Sequence, residues 1–472
     1  MAGEVGDDLC SGGMRIVWVH LAGFSCLAVL PDCPVHLVVC GDHGREHEAV
    51  TAKHASPFLS LERRTRQRLR SHVTDVDGLI AAQDEELIEL LRGRAHEGWE
   101  MVCPFPSSAG ARVAGALGIP FRAPDLELCH WLDAKSTLHA ALHELGLPLV
   151  YGRWLPQGAI VYADLAGEFG ARLVLQLAYG SGGSGTRMVA DEGEFIRARR
   201  ELAGRDVWVA PYLGGLSFNV NAIALAGGVV VSFPSVQLVG FAALGADPGE
   251  YCGNDFAAAT LHSAIVDDVV AQSERLGRWL LGKGFRGMFG IDFVVDERTG
   301  RPVAVDLNPR WQGSTVLLSH AERAVGRRPL AVEEVALRLS LLDEREVLRN
   351  RDVHLGEVAA AQVTLRLPPS RGPALVTGAV GPGIWHTGTE FARAREGLQL
   401  ADCRERDEVL LTGAVPETGT LVYPGAYLLR LYARRAMIDA DSGRLQPWVE
   451  RLLTHVEGVL ALTAVGEGPS TS

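Results

Sequence analysis

Between Gly290 and Arg310 the chain reads G-I-D-F-V-V-D-E-R-T-G-R-P-V-A-V-D-L-N-P-R, and no other stretch limits the fold so tightly. Apolar segments flank Asp296–Gly300, a run of turn-forming residues, so the segment predicts an antiparallel hairpin. Centred on Thr299, this hairpin sets Asp292 directly opposite Asp306 and keeps Asn308 on the same face. The other face is predicted to carry Ile291, Phe293, Val295, Val303, Val305 and Leu307 onto a core. Two carboxylates opposed across strands stand about 5 Å apart and repel. No Lys or Arg alternates onto their face within the hairpin. A divalent ion resolves the conflict, since magnesium takes a few hard oxygen ligands and fills its shell with water and phosphate. Asp292, Asp306 and Asn308 are therefore candidate metal ligands, against the bland alternative of a solvated acidic face. Asn308-Pro309-Arg310 directs a guanidinium to the same place, where its fork can clamp a phosphoryl group or a carboxylate.

The surrounding chain is long enough for several units. At 472 residues it exceeds what one core supports. Its 47% hydrophobic and 22% charged residues are a globular balance. A net charge of −12 argues against nucleic acid as a partner, because no basic stripe is left to neutralise a phosphate backbone. Lysine occurs only at positions 53, 135 and 283, which draws attention to any motif that keeps one. Eight cysteines include no C-x-x-C pair and none stands at metal-ligand spacing from a histidine, so free thiols are expected. Residues 1–13 lack a basic and an apolar region, so no signal peptide is expected. No apolar run reaches the roughly 18 residues of a membrane span. A cytoplasmic protein with no membrane partner is the expectation.

Along the chain, Arg15–Leu21, Val35–Cys40 and Trp99–Cys103 have the length and apolar character of strands, with helical periodicity over Gln83–Leu91 and after Pro104. Alternating strands and helices predict a small α/β domain with a mostly parallel sheet. A helix is predicted over Lys135–Leu145, ending at Gly146-Leu-Pro. Strands are predicted at Leu173–Leu177, Val207–Leu213, Ser217–Ala226 and Val229–Phe233, the last two joined by a turn at Gly227-Gly228. Ile265–Leu281 reads as an amphipathic helix. Short strands follow at Glu357–Leu367, Ala374–Gly378 and Gly419–Tyr432, and a closing helix at Leu445–Val459. No convincing Ser/His/Asp or Cys/His set is visible.

The hairpin residues Gly290-Ile-Asp-Phe293 and Asp306-Leu-Asn-Pro-Arg310 resemble the metal-binding strands of the ATP-grasp superfamily. Further pieces stand in that superfamily's order. Asp133-Ala-Lys135 resembles the segment whose lysine reaches the ATP phosphates. The strand Leu173–Leu177 runs into Ala-Tyr-Gly-Ser-Gly-Gly-Ser-Gly-Thr186, a Gly-rich turn whose backbone N–H groups can close over triphosphate oxygens. Val209-Ala-Pro-Tyr-Leu213 corresponds to the stretch that commonly reads adenine. The resemblance implies ATP binding by Lys135, Gln176, Gly182, Gly183, Ser184, Gly185, Thr186, Pro211, Tyr212, Leu213 and Ser217. It implies magnesium, or manganese in its place, on Asp292, Asp306 and Asn308, with Arg310 as the catalytic contact to the phosphoryl group or acyl substrate.

The implied fold is α/β (α+β): an ATP-grasp fold with an N-terminal Rossmann-like pre-ATP-grasp domain and a C-terminal α+β segment. The boundaries expected are a disordered 1–13, an N-terminal domain 14–128, a lid subdomain 129–212, a main domain 213–350 and a C-terminal domain 351–472. The implied activity is carboxylate–amine ligation, in which ATP activates a small-molecule carboxylic acid as an acyl phosphate and an amino acid or peptide amine displaces phosphate. Gln176 stands where many relatives have a second lysine, and Ala210, Pro211 and Ser217 where they have acidic residues. That Gln-plus-glycine version is most similar to peptide ligases of the pheganomycin-biosynthesis type, which implies peptide natural-product biosynthesis and a homodimer. Two alternatives remain at this point: a thiol or bicarbonate acceptor, or a nucleotide-binding protein without catalysis.

Overall fold

A computed structural model of the chain describes residues 13–68, 76–92, 98–156, 160–180, 183, 185–202, 205–388, 391–440 and 442–465. Residues 1–12, within the stretch expected to be disordered, lie outside the described residues.

The N-terminal apolar runs form one parallel sheet, in the order Phe58–Ser60, Val35–Cys40, Arg15–Val19, Trp99–Val102 and Phe121–Arg122. Continuous rather than alternating hydrophobicity fits a sheet covered on both faces. Along the central strand Val17 and Val19 join one apolar cluster, and Ile16 and Trp18 join another. The helix Ser108–Leu117 packs on the first face, its start fixed by Ser107 Oγ accepting the Gly110 N–H at 2.9 Å.

A second, antiparallel sheet has its own small core. Its strands run in the order Arg153–Leu155, Val207–Pro211, Leu173–Gln176 and Thr186–Val189. Leu173, Leu175, Val207 and Val209 bury one face of it under Leu165 and Phe195, from the helices Tyr162–Phe169 and Glu192–Glu201. The opposite face is left to Val174, Gln176, Trp208 and Ala210, by simple alternation.

The largest sheet has 11 strands and carries the hairpin near one edge. From that edge the order is Arg301–Asn308, Gly287–Asp296, Gly214–Leu225, Ser235–Val239 and Tyr251–Asp255. It continues through Ala361–Arg366, Tyr427–Ala433, Glu408–Thr412, Gly383–Thr387 and Phe391–Arg395, so the C-terminal strands extend the same sheet. The helix Ser263–Gly282 covers the hairpin's apolar side through Val269, Leu276 and Leu280.

Two details of register differ from the sequence reading. The turn before Gly228–Val231 is Ala226-Gly227, because Gly228 already pairs with Leu225. In the hairpin, a bulge after Asp292 pairs Phe293 with Ala304. Ala304 therefore joins Ile291, Phe293, Val295 and Leu307 in the core, Val303 pairs with Val294, and Val305 is pushed out of the core-facing row. A single extra residue on one strand flips the faces beyond it, and composition does not announce where it falls.

Candidate active site

The bulge leaves the pairing that matters intact: Asp292 lies opposite Asp306. Both line a cavity of about 710 Å³ between the polar face of the small sheet and the hairpin end of the large one. Burial, first, and the facing Asp306 carboxylate, second, hold the Asp292 carboxyl above the usual carboxylate range. Asn219, on the neighbouring strand and paired with Asp292, donates from Nδ2 to Asp292 Oδ1 at 2.5 Å. The same amide donates to Gln312 Oε1 at 2.5 Å, and its Oδ1 accepts from Ser314 Oγ at 2.5 Å. Residues 312–315, just past the hairpin, thus fix the orientation of Asp292 through a buried network that includes Asn221 and Thr315.

Charge compensation comes from a helix rather than from the hairpin. Lys135 opens the helix Lys135–Leu145 and is 5% exposed, with Nζ 3.0 Å from Asp306 Oδ1. Burial works against its charge, but Asp306 first, then Asp133 and Asp292, outweigh that and raise its pKa. One ammonium among these carboxylates leaves a net negative centre, which suits a divalent cation. Arg310 sits behind it, its Nη2 3.7 Å from Asp133 Oδ1 and its guanidinium over the Phe105 ring at 5.6 Å. Burial, first, raises the Asp133 carboxyl, while Arg310 counters it. Arg310 and Asn308 are not among the residues lining the cavity, although Asn308 is buried two positions beyond Asp306.

The small sheet supplies the opposite wall. Gln176 and Thr186 pair across two strands, with Gln176 Nε2 donating to Thr186 Oγ1 at 3.3 Å. Gly183 and Gly185 line the cavity beside them. Gly182 and Ser184 lie outside the described residues. Pro211, Tyr212, Leu213 and Ser217 line the segment where the two sheets meet, and the Arg172 guanidinium stacks 4.0 Å over Tyr212.

Several lining residues escaped the sequence reading. His139 and Trp208, with ring centroids 4.1 Å apart, form an aromatic wall. Burial, then Lys135, push the His139 pKa down to about 4, so the ring is neutral. His139 is one helical turn past Lys135 on the same face, a Lys-x-x-x-His spacing that marks it. Ser217, Asn219 and Asn221 alternate within an otherwise apolar strand, a period-two polar row that betrays Asn219. Tyr251 and Gln237 carry no such signal. Elsewhere, Cys40, Asp42 and His47 bring their ligand atoms within 4.8 Å of one another, a proximity that linear spacing did not reveal. The seven described cysteines are free.

Sheets of this order, with opposed carboxylates beneath a glycine-rich hairpin, define an ATP-grasp fold. Residues 158–314 match the sequence profile of the ATP-grasp domain, and the chain carries that domain. It is similar to the [butirosin acyl-carrier protein]–L-glutamate ligase of Niallia circulans, 24% identical over 254 residues, covering 52% of this chain and 57% of that one. It is also similar to the L-propargylglycine–L-glutamate ligase of Streptantibioticus cattleyicolor, 32% identical over 130 residues, 28% of this chain and 25% of that one. The match thus spans just over half of one relative and a quarter of the other. Among solved structures, an L-amino acid ligase from Bacillus licheniformis superposes with a TM-score of 0.53 at 12% identity, covering 96% of this chain and 99% of that one. A biotin carboxylase from Campylobacter jejuni superposes with a TM-score of 0.57 at 14% identity, covering 95% and 92%. At these identities the likeness is one of fold. No helix among the described residues is long and apolar enough to cross a membrane.

Proposed function

We propose that this chain is an ATP-dependent ligase that activates a carboxylate as an acyl phosphate and joins it to the amine of an amino acid or peptide, in the making of a peptide natural product. The observation that carries the reading is the Asp292–Asp306 pair, held at the cavity floor by Asn219 and Lys135 and roofed by a glycine-rich hairpin. The names of the two curated relatives, both of which join L-glutamate to another molecule, support ligation of this kind.

The residues fit a divalent cation. Two hard carboxylates that repel each other, Asp292 desolvated and Asp306 paired with one ammonium, are oxygen donors in need of positive charge. Asp292 and Asp306, with Asn308 as a third donor, would hold magnesium, which screens charge building on the transferred phosphoryl oxygens. Lys135 offsets part of the floor's negative charge and presents its ammonium to the phosphate end of the cavity. Gln176, Thr186 and the glycine backbone cover that end, and closing over it excludes water that would hydrolyse an acyl phosphate. His139, Trp208 and the segment Pro211–Leu213 give an apolar wall for a base. Arg310, loosely paired at 3.7 Å outside the cavity lining, would turn inward to exchange Asp133 for a phosphoryl or carboxylate oxygen. Chemistry here rests on positioning and electrostatics, and no side-chain nucleophile is needed. We assign the chain to a homodimer, which sedimentation will test.

A phosphate-release screen over pairs of carboxylic acids and amino acids or dipeptides, with products identified by mass, tests the reading. Ligation requires ATP and both substrates together. Asp306→Ala should lower turnover by roughly 100-fold or more while the circular dichroism spectrum stays unchanged. Full activity in that variant would falsify the metal assignment.

A further inference from the structure

The polar floor that starts at Asp292 continues across the large sheet. Asn219 pairs with Asp292, Gln237 with Asn254, Asn254 with Gln362 and Thr364 with Arg430, which carries the row onto the strand Tyr427–Ala433. Tyr251 stands midway. It lines the cavity, its hydroxyl donates to Asn254 Oδ1 at 2.6 Å, and the charges of both Arg430 and Asp292 act on it.

Arg430 differs from the other deep arginines. Arg68 is bonded to Glu62, and Arg366 to Tyr251 O and Tyr427 Oη with Glu250 at 3.6 Å. Arg430 is half-buried between two rings, its guanidinium carbon 4.1 Å from the Phe24 centroid and 5.1 Å from that of Tyr427. Among the described residues its guanidinium makes one hydrogen bond, a long 3.5 Å donation to Gly413 O, and has no carboxylate at ion-pair distance. Asp42, on which its field acts, is engaged instead by the Gly23 N–H. Nearby, His20 lies edge-on to Phe105 at 5.0 Å and is neutral, burial first and Arg430 second pushing its pKa down to about 3. Beside Arg430 on the sheet, Thr412 Oγ1 and Tyr432 Oη are buried polar atoms without partners among the described residues.

A half-buried guanidinium with no carboxylate at ion-pair distance is costly, and the two rings hold its faces while its edge donors stay available. Five N–H groups in a planar fork match a carboxylate. We infer that Arg430 anchors a carboxylate of the substrate on the sheet face that Tyr251 shares with the cavity, selecting an amino acid or peptide with a free carboxyl group over its neutral amide. The inference rests on the ligase reading for what the substrate is, and on Arg430's surroundings for where it binds.

The test titrates wild type, Arg430→Met and Arg430→Lys with a set of L-amino acids and dipeptides, each as free acid and as C-terminal amide. MgADP is present, and binding is read by calorimetry and thermal stabilisation. Compounds that bind wild type as acids should bind about 10- to 100-fold more weakly as amides. Arg430→Met should lose that preference and leave amide and MgADP affinities unchanged, and Arg430→Lys should restore part of it. Equal binding of acids and amides, a preference that survives in Arg430→Met, or no binding of any compound overturns the inference. Failure of MgADP to bind wild type would instead undo the ligase reading, with the acid-against-amide comparison still readable.

Discussion

Lys135 carries the most electrostatic weight of any single residue at the candidate site. It is buried, it is one of three lysines in the chain, and its ammonium is the cation nearest the opposed carboxylates. Lys135→Met keeps the length and removes the charge. Asp306 then loses its partner while Asp292 stays desolvated, so the variant should depend on divalent cation for stability. We expect its Tm to fall by several degrees in EDTA, to recover with magnesium, and its ATP affinity to drop about 10-fold or more. Calorimetry of both proteins with and without magnesium reads this, and identical magnesium responses would refute it. Asp292, Asp306 and Lys135 were legible in the sequence because each sits in a motif with regular spacing. Asn219 and Gln312 were not, because their roles depend on which strand lies beside Asp292, and that order is set by long-range pairing.

Elements were legible where period and punctuation agreed. The helix Lys135–Leu145 runs as its pattern demands and ends at Gly146, and Ser263–Gly282 fits its amphipathic spacing. The hairpin bulge at Asp292 was hidden, since nothing in the apolar run Val303–Val305 tells which residue is extra. At the glycine-rich hairpin, Gly183 has φ +87°, and a Cβ there would collide with the Gly249 carbonyl oxygen, in the connection between Ser235–Val239 and Tyr251–Asp255. Gly183→Val should therefore prop the small sheet away from the cavity. The expected result is nucleotide affinity reduced about 10-fold with Tm changed by less than about 2 °C, because a hairpin tip contributes little to global stability. Equal nucleotide affinity by titration counts against this contact.

A second element-scale prediction concerns the helices behind the sheet. His354 bridges Glu322, at 2.7 Å, and Glu333, at 2.9 Å, and so joins Arg351–His354 to Thr315–Ala324 and Leu330–Arg338. Burial opposes the imidazolium, but the hydrogen bonds it donates to both glutamates outweigh it and raise the pKa to about 9 from 6.5. A raised folded-state pKa stabilises fully below the unfolded value and is lost as pH rises through the folded one. Unfolding free energy should thus decline by roughly 3 kcal/mol between about pH 6.5 and pH 9.5 from this group. Urea titrations across that window, with the His354 ring followed by NMR, check it. A ring titrating near 6.5 removes the effect.

At the scale of the whole molecule, strands from the expected main domain and from the expected C-terminal domain share one large sheet. The pairing of Tyr251–Asp255 with Ala361–Arg366 is the seam between the two sets of strands, and it places Tyr251 within reach of both Asp292 and Arg430. Gly253 lies on that seam with φ +144°, and a Cβ would run into the Gln362 carbonyl oxygen. Gly253→Val forces either the backbone out of its conformation or the two strands apart, and both disturb buried ladder bonds. The expected cost is about 2–4 kcal/mol, with a single thermal transition splitting into two as the halves lose their coupling. Gly458→Ala, in the helix Pro447–Leu460 with nothing near its added methyl group, serves as the control and should be neutral or gain up to about 1 kcal/mol. Scanning calorimetry of the three proteins decides it. If Gly253→Val melts like wild type, the seam bears no load, and a carboxylate anchored at Arg430 has no rigid path to the chemistry at Asp292.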